Sequence, residues 1–219
     1  AADLKAAFAS LKMEVCVLEQ RLPLKKEISV IVARGFDKGY SIFPAAENQH
    51  AHGILDVSIV PANIPQELIQ RANEATIRVA EKLDYRGVLC VEFFVLADDQ
   101  LVINEIAPRP HNSGHFSLDA CVTSQFEQQV RTLCGLPLGS TEKHCAAVMV
   151  NLLGDLWQSA DPDWRQLLQH PCAKLHLYGK REARPGRKMG HFTVLDNTAE
   201  TALEQALEIK QLLKMNTPS

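Results

Sequence analysis

Apolar and polar residues change their spacing several times along the chain, and each change predicts an element. Leu4, Phe8 and Leu11 recur at helical spacing behind Asp3, which predicts a short helix capped by Asp3 and followed by an extended run over Glu14–Leu18. Ile28–Ala33 and Tyr40–Phe43 read as strands joined through the turn signal Asp37-Lys38-Gly39. Behind Pro61 and Pro65, the positions Leu68, Ala72, Ala75, Val79 and Leu83 lie three or four apart and predict a helix over Gln66–Leu83. Gly87 restarts the strand pattern with Val88–Leu96, a turn at Asp98-Asp99, and Leu101–Ile106. Ser124 and Glu127 form a capping box for a helix carrying Phe126, Val130 and Leu133 on its apolar side, stopped by Gly135 and Pro137. Strands follow near Ala146–Leu152, Lys174–Tyr178 and Phe192–Leu195, with a long helix after Asn197.

Pro137–Lys143 is the one plausible linker, and it divides the chain into residues 1–136 and a small C-terminal unit of residues 137–219. The second unit holds too few elements for confident independent folding. The order of elements gives an α+β or mixed α/β class. A content of 46% hydrophobic and 22% charged residues excludes disordered and low-complexity classes. With 23 basic against 26 acidic residues, the net charge of −3 argues against a general nucleic-acid binder or a polybasic membrane module. No apolar run is long enough to cross a bilayer, and no secretory signal pattern opens the chain. The first residues are Ala-Ala-Asp rather than Met, which reads as a fragment or a processed product. The six cysteines lie at least eleven residues apart with no Cys-x-x-Cys, a pattern of free thiols in a reducing cytoplasm.

Candidate chemistry concentrates in three places. A symmetric hairpin centred on Asp98-Asp99 sets Leu96 opposite Leu101, Phe94 opposite Ile103 and Glu92 opposite Glu105, although a bulge would shift that register. Facing carboxylates among apolar neighbours repel, and they persist if one is protonated or a cation lies between them. Magnesium takes oxygen ligands and is often held by one or two carboxylates plus phosphates, so Glu92, Glu105 and the adjacent Asn104 form a candidate metal site. The alternative is a pair of solvated glutamates at a hairpin edge. The loop that follows carries Arg109, His111, Asn112, Ser113 and His115, donors suited to an anion beside a metal. Zinc on His111 and His115 lacks a third ligand, and His50-x-His52 reads as a surface loop. The third place is Gly179–His191, where five basic residues gather around Pro185-Gly186, either to meet an anion or as a solvated tip. No P-loop, Rossmann or nucleophile-elbow motif is present.

Taken together, several segments resemble one family. They are Val17-Leu18-Glu19-Gln20, Glu27 to Gly35, Val91-Glu92-Phe93-Phe94, Ile103 to His115 with its Asn112-Ser113-Gly114-His115, and Arg184-Pro185-Gly186-Arg187-Lys188. In this order they are similar to the ATP-grasp ligases that act as 5-(carboxyamino)imidazole ribonucleotide synthases, over somewhat more than their C-terminal half. The resemblance implies the C-terminal half of an ATP-grasp fold with a mainly antiparallel sheet, plus a small C-terminal α/β subdomain completing the ribonucleotide site. It implies ATP and Mg2+ as cofactors, with bicarbonate and aminoimidazole ribonucleotide as further substrates joined through carboxyphosphate in purine biosynthesis. Glu19, Gln20, Arg21 and Leu22 would meet adenine, Glu27 the ribose, and His50 the nucleotide. Glu92, Asn104 and Glu105 would hold magnesium on the phosphates. Arg109, His111 and Asn112 would surround the transferring groups, while Ser113, His115, Arg184, Arg187 and Lys188 would bind substrate. A cytoplasmic homodimer is implied, and so is inactivity of this chain alone, because the family's upstream lysine and glycine-rich flap have no counterpart in it. Two other readings stay open. One is a formate-dependent glycinamide ribonucleotide transformylase, whose branch carries Asp-Thr-Gly-Met where this chain has Asn112 to His115. The other is a non-catalytic binding or dimerisation module.

Overall fold

The long apolar runs become the middle strands of one antiparallel sheet. The computed structural model describes residues 2–12, 14–157 and 161–215. Its strands are β1 (Leu24–Arg34), β2 (Tyr40–Ile42), β3 (Ala46–Ala51), β4 (Ile54–Val60), β5 (Gly87–Leu96), β6 (Leu101–Ala107), β7 (Ala146–Leu153), β8 (Ala173–Leu177) and β9 (Lys188–Asp196). They lie in the order β6-β5-β1-β3-β4-β7-β9-β8, with β2 added to the end of β1. The predicted linker falls between strands of this same sheet, because β4 pairs with β7 from Val57–Val150 to Val60–Ala147.

Helices cover both faces, which is why β1, β5 and β7 read as near-continuous apolar runs. Paired residues share a face, so Ile28, Glu47, Ile59 and Val148 mark one side of the sheet. On that side α2 (Gln66–Lys82) buries Leu68 and Ala72 over Ile28, Val30, Val91 and Phe93. Farther along, α5 (Trp164–Leu168) and α6 (Ala199–Met215) close a second core around Val148, Phe192 and Ile209. The opposite side carries Ile31, Ala33, Cys90 and Phe116 beneath α3 (Ser117–Ala120) and α4 (Gln125–Leu133).

Several expectations are corrected. Asp3 lies inside the first turn of α1 (Ala2–Ser10) instead of capping it, and Leu4, Phe8 and Leu11 are exposed. Residues 14–18 form no strand, and Val15, Val17 and Leu18 are solvent-exposed. His50 sits on β3, not in a loop: β3 and β4 form a hairpin through His52 and Gly53, both at positive φ as the tight two-residue turn requires. Ser124 does cap α4 by accepting from the Glu127 amide at 3.1 Å. Yet α4 turns Gln125, Gln128 and Thr132 inward and leaves Phe126, Val130 and Leu133 exposed. The inward amides bond loop backbone, Gln128 holding both the N–H and the carbonyl of Gly139. The β5–β6 register is shifted near the tip, where Phe93 faces Ile103 and Phe94 faces Val102. A bulge there restores the expected partnership of Glu92 with Glu105.

Candidate active site

Alternation along β5 puts Val91, Phe93 and Val95 against α2, and Glu92 and Phe94 on the other, half-buried face. Glu92 pairs with Ser29 of β1 and Glu105 of β6, so three strands bring a polar band together on an otherwise apolar sheet. Burial pushes the Glu92 carboxyl above its ordinary range, and the neighbouring Glu105 pushes it further. Glu105 lies on the edge strand and is exposed. Asn104, beside the bulge, is also exposed. Glu27 of β1 holds His50 Nδ1 at 2.6 Å.

The loop after β6 is held from below. His111 receives its position from Gln125, whose Oε1 accepts from the His111 amide at 2.8 Å and whose Nε2 donates to the His111 carbonyl at 2.7 Å. The next residues form a 3₁₀ turn, Asn112–Gly114. A side chain at Gly114 would run into Ile31 Cδ1 and lie 2.7 Å from Gln125 Oε1, so only glycine lets the turn sit this close to β1. The His111 ring lies between Ser113 Oγ, 2.9 Å from Nδ1, and Glu92 Oε1, 3.2 Å from Nε2. Burial, with Arg109, Lys188 and His50 nearby, lowers the His111 pKa to about 4. The ring is therefore neutral near pH 7, and its contact with Glu92 is not an ion pair.

The basic segment between β8 and β9 folds over this band. Its turn is pinned: Asp155 Oδ2 accepts from the Gly186 amide at 2.8 Å, and the Gly154 amide donates to the Arg187 carbonyl at 2.8 Å. A Cβ at Gly154 would collide with the Arg184 carbonyl. The result is a cleft of about 530 Å³ lined by His50, Glu92, Glu105, Arg109, His111, Lys180 and Lys188, among others. Burial lowers the Lys188 pKa, an effect that Glu92 partly offsets. Two carboxylates, one arginine and two lysines around an open cleft suit a polyanion carried with a divalent cation.

The other expected residues lie elsewhere. Gln20, Arg21 and Leu22 line a separate depression with Phe94, two residues along β5 from Glu92. Glu19 is exposed and lines neither. Asn112 exchanges two amide hydrogen bonds with Asn151, at 3.0 and 2.6 Å. Ser113 is fully buried, with its hydroxyl bonded to Ser29. His115 packs beside Phe126, Tyr178 and His191, and its Nδ1 meets Gln125 at 3.0 Å. Arg184 pairs with the Glu182 carboxylate at 3.6 Å, and Arg187 donates to the Glu182 carbonyl. Sequence reasoning missed Gln125, Asn151, Lys180 and Asp155, of which only Lys180 lies inside a flagged segment. Among the described residues, Asp119, His176 and His191 form a separate group of ligand-type side chains. The two imidazoles stack at 4.5 Å and 11°, so their in-plane lone pairs cannot converge on one ion as they stand.

Residues 1–126 match the ATP-grasp domain family, and residues 147–205 match the phosphoribosylaminoimidazole carboxylase C-terminal domain. The N5-carboxyaminoimidazole ribonucleotide synthase of Bacillus subtilis (strain 168) is 45% identical over 204 residues, 93% of this chain and 53% of that protein. Its Brucella melitensis counterpart is 47% identical over 187 residues, 85% of this chain and 51% of its own length. The chain thus spans about half the length of these curated relatives. Among solved structures, an ADP complex of an N5-carboxyaminoimidazole ribonucleotide synthetase superposes with a TM-score of 0.90 at 44% identity, covering 99% of this chain and 56% of that one. The Aspergillus clavatus synthase, solved with ADP and 5-aminoimidazole ribonucleotide, gives 0.88 at 32% identity, covering 98% and 58%.

Proposed function

The chain belongs to the ATP-grasp family, and from that premise we propose that it forms the metal and ribonucleotide half of an ATP-dependent carboxylase acting on aminoimidazole ribonucleotide. The single observation that carries this reading is the cleft where Glu92 and Glu105 face Arg109, His111 and Lys188. Relatives of the same name and a structure holding 5-aminoimidazole ribonucleotide support the choice of substrate. In the reaction a bicarbonate oxygen attacks the γ-phosphorus and ADP leaves, giving carboxyphosphate. The exocyclic amine nitrogen then forms the C–N bond, phosphate departs with the C–O bond electrons, and the amine loses a proton.

Glu92 and Glu105 fit a magnesium ion, with Asn104 beside them as a neutral oxygen donor, because two facing carboxylates supply hard oxygen ligands and lose their repulsion when it binds. Magnesium bound there would neutralise phosphate charge during transfer. Arg109 supplies a planar guanidinium to the transferring oxygens. His111 donates from Nε2, and Lys188 with Lys180 meets the ribonucleotide phosphate. Asn112, Ser113 and His115 act by fixing the loop, while Arg184 and Arg187 shape and charge the turn. Gln20–Leu22 with Phe94 take adenine, and Glu27 with His50 the ribose. On this assignment base, sugar and phosphates would follow one another along β1 and β5. A homodimer in the cytoplasm accompanies this function, supported by the exposed apolar side of α4. No described helix is long and apolar enough to cross a membrane.

The test uses a full-length synthase carrying this sequence, supplied with ATP and either bicarbonate plus aminoimidazole ribonucleotide or formate plus glycinamide ribonucleotide. ADP formation with the first pair alone is expected. Formation with the second pair alone would reassign the chain to the transformylases.

A further inference from the structure

A line of buried polar side chains runs from the middle of the sheet to the cleft. Ser58 Oγ of β4 donates to Asn48 Oδ1 of β3 at 2.9 Å, and Asn48 Nδ2 donates to Ser29 Oγ of β1 at 3.0 Å. Ser29 Oγ then donates to Ser113 Oγ at 2.7 Å, and Ser113 Oγ lies 2.9 Å from His111 Nδ1. All four relay side chains are at least 95% buried. Three strands each devote an inward position to this line on a face otherwise filled by Ile31, Ala33 and Phe43.

We infer that Ser58, Asn48 and Ser29 are positioning residues that fix which nitrogen of His111 carries its hydrogen, so that the ring offers an N–H donor to the cleft and cannot act there as a base. Nδ1 is the end of the ring with a fixed partner. The Ser113 backbone N–H, which can only donate, also points at Nδ1 at 3.4 Å. Nε2 faces the cleft, 3.2 Å from Glu92 Oε1. With Nδ1 an acceptor, the Ser113 hydroxyl must donate to it, Ser29 must donate to Ser113, and the Asn48 amide must face Ser29 with its nitrogen. Each hydroxyl in the line thus has its hydrogen assigned, and reversing any one leaves two lone pairs or two hydrogens face to face in a site without water's compensation. The catalytic meaning rests on the carboxylase reading: a donor at Nε2 stabilises oxygen charge on the bicarbonate or phosphoryl group, and the amine's proton must leave by another route. The tautomer does not rest on that reading.

Nitrogen-15 NMR of the His111 ring in the 219-residue chain near neutral pH decides the structural claim, independently of any activity. A pyrrole-like Nε2 and a pyridine-like Nδ1 are expected. The opposite tautomer or a doubly protonated ring would overturn the inference. Asn48→Asp, whose carboxylate accepts from both Ser58 and Ser29, should release the Ser113 hydrogen from His111 and turn Nδ1 pyrrole-like. Asn48→Leu should not, whereas a merely structural role would give both variants the same spectrum. In a full-length synthase, His111→Gln, which places an amide N–H near the position of Nε2, should keep a kcat roughly tenfold or more above that of His111→Leu. Equal loss in both would show that His111 is needed for something other than donation, even if the carboxylase reading stands.

Discussion

Glu92 and Glu105 are the most exacting test at the scale of single residues. In a full-length synthase, Glu92→Gln or Glu105→Gln should abolish magnesium-dependent ATP turnover, because neutralising phosphate charge supplies much of the stabilisation in phosphoryl transfer. The fold should be kept, since burial and Glu105 already disfavour the Glu92 charge. Circular dichroism and an ADP-release assay check both halves, and near-normal turnover in both variants contradicts the metal assignment. Lys188 is the corresponding cation. Each charge-assisted bond to a phosphate is worth about 1.5–3 kcal/mol, so Lys188→Ala should raise KM for aminoimidazole ribonucleotide roughly 10- to 150-fold and leave ATP binding nearly unchanged. The riboside, which lacks the phosphate, should show a smaller change.

The buried histidines set the response to acid. Burial lowers His115 to about 4, with His111, Lys188 and His176 around it, and lowers His191 to about 3, with His115 and His176 against it. Tyr178 Oη lies 2.9 Å from His191 Nδ1, a hydrogen bond to a neutral partner. Both folded values lie below the ordinary 6.5, so the unfolded chain binds more protons between those limits. Stability is therefore full above about pH 6.5 and falls as pH drops toward the folded values. Thermal melts should show a midpoint several degrees lower near pH 5 than near pH 7, and a flat profile would contradict the burial of these rings.

Elements carry the second kind of constraint. The turn Asn112–Gly114 approaches β1 so closely that Gly114→Ala has no space beside Ile31 and Gln125. Overpacking of this kind costs about 1–3 kcal/mol, so the variant should melt earlier, and the His111 ring signals should shift with it. The sequence reveals much at this scale, but unevenly. A hairpin centred on Asp98-Asp99 correctly pairs Glu92 with Glu105, although its tip register is off by one and a bulge beside Asn104 makes up the difference. Period-2 arithmetic cannot see such a bulge, because the extra residue carries no distinctive composition. The β3–β4 hairpin stayed hidden since Glu47, Asn48, Gln49 and His50 lack the apolar alternation of a strand. Their polarity is what the site uses: Asn48 joins the buried line and His50 the cleft. Helix α4 misleads in the other direction, because its polar face is the buried one.

For the molecule as a whole, that inversion has a consequence. Phe126, Val130 and Leu133 stay exposed beside Leu136 and Val122, an apolar strip consistent with the proposed homodimer contact. Val130→Glu with Leu133→Glu should shift the full-length protein from dimer to monomer in sedimentation velocity, and an unchanged dimer would move the contact elsewhere. The central proposal for the molecule is that this cleft joins bicarbonate to ATP's terminal phosphate. The most direct measurement follows oxygen-18 from bicarbonate in a full-length synthase carrying this sequence. One labelled oxygen should appear in the released phosphate when ATP and aminoimidazole ribonucleotide are present, and the transfer should vanish in Glu92→Gln. ADP formation with unlabelled phosphate would contradict the account.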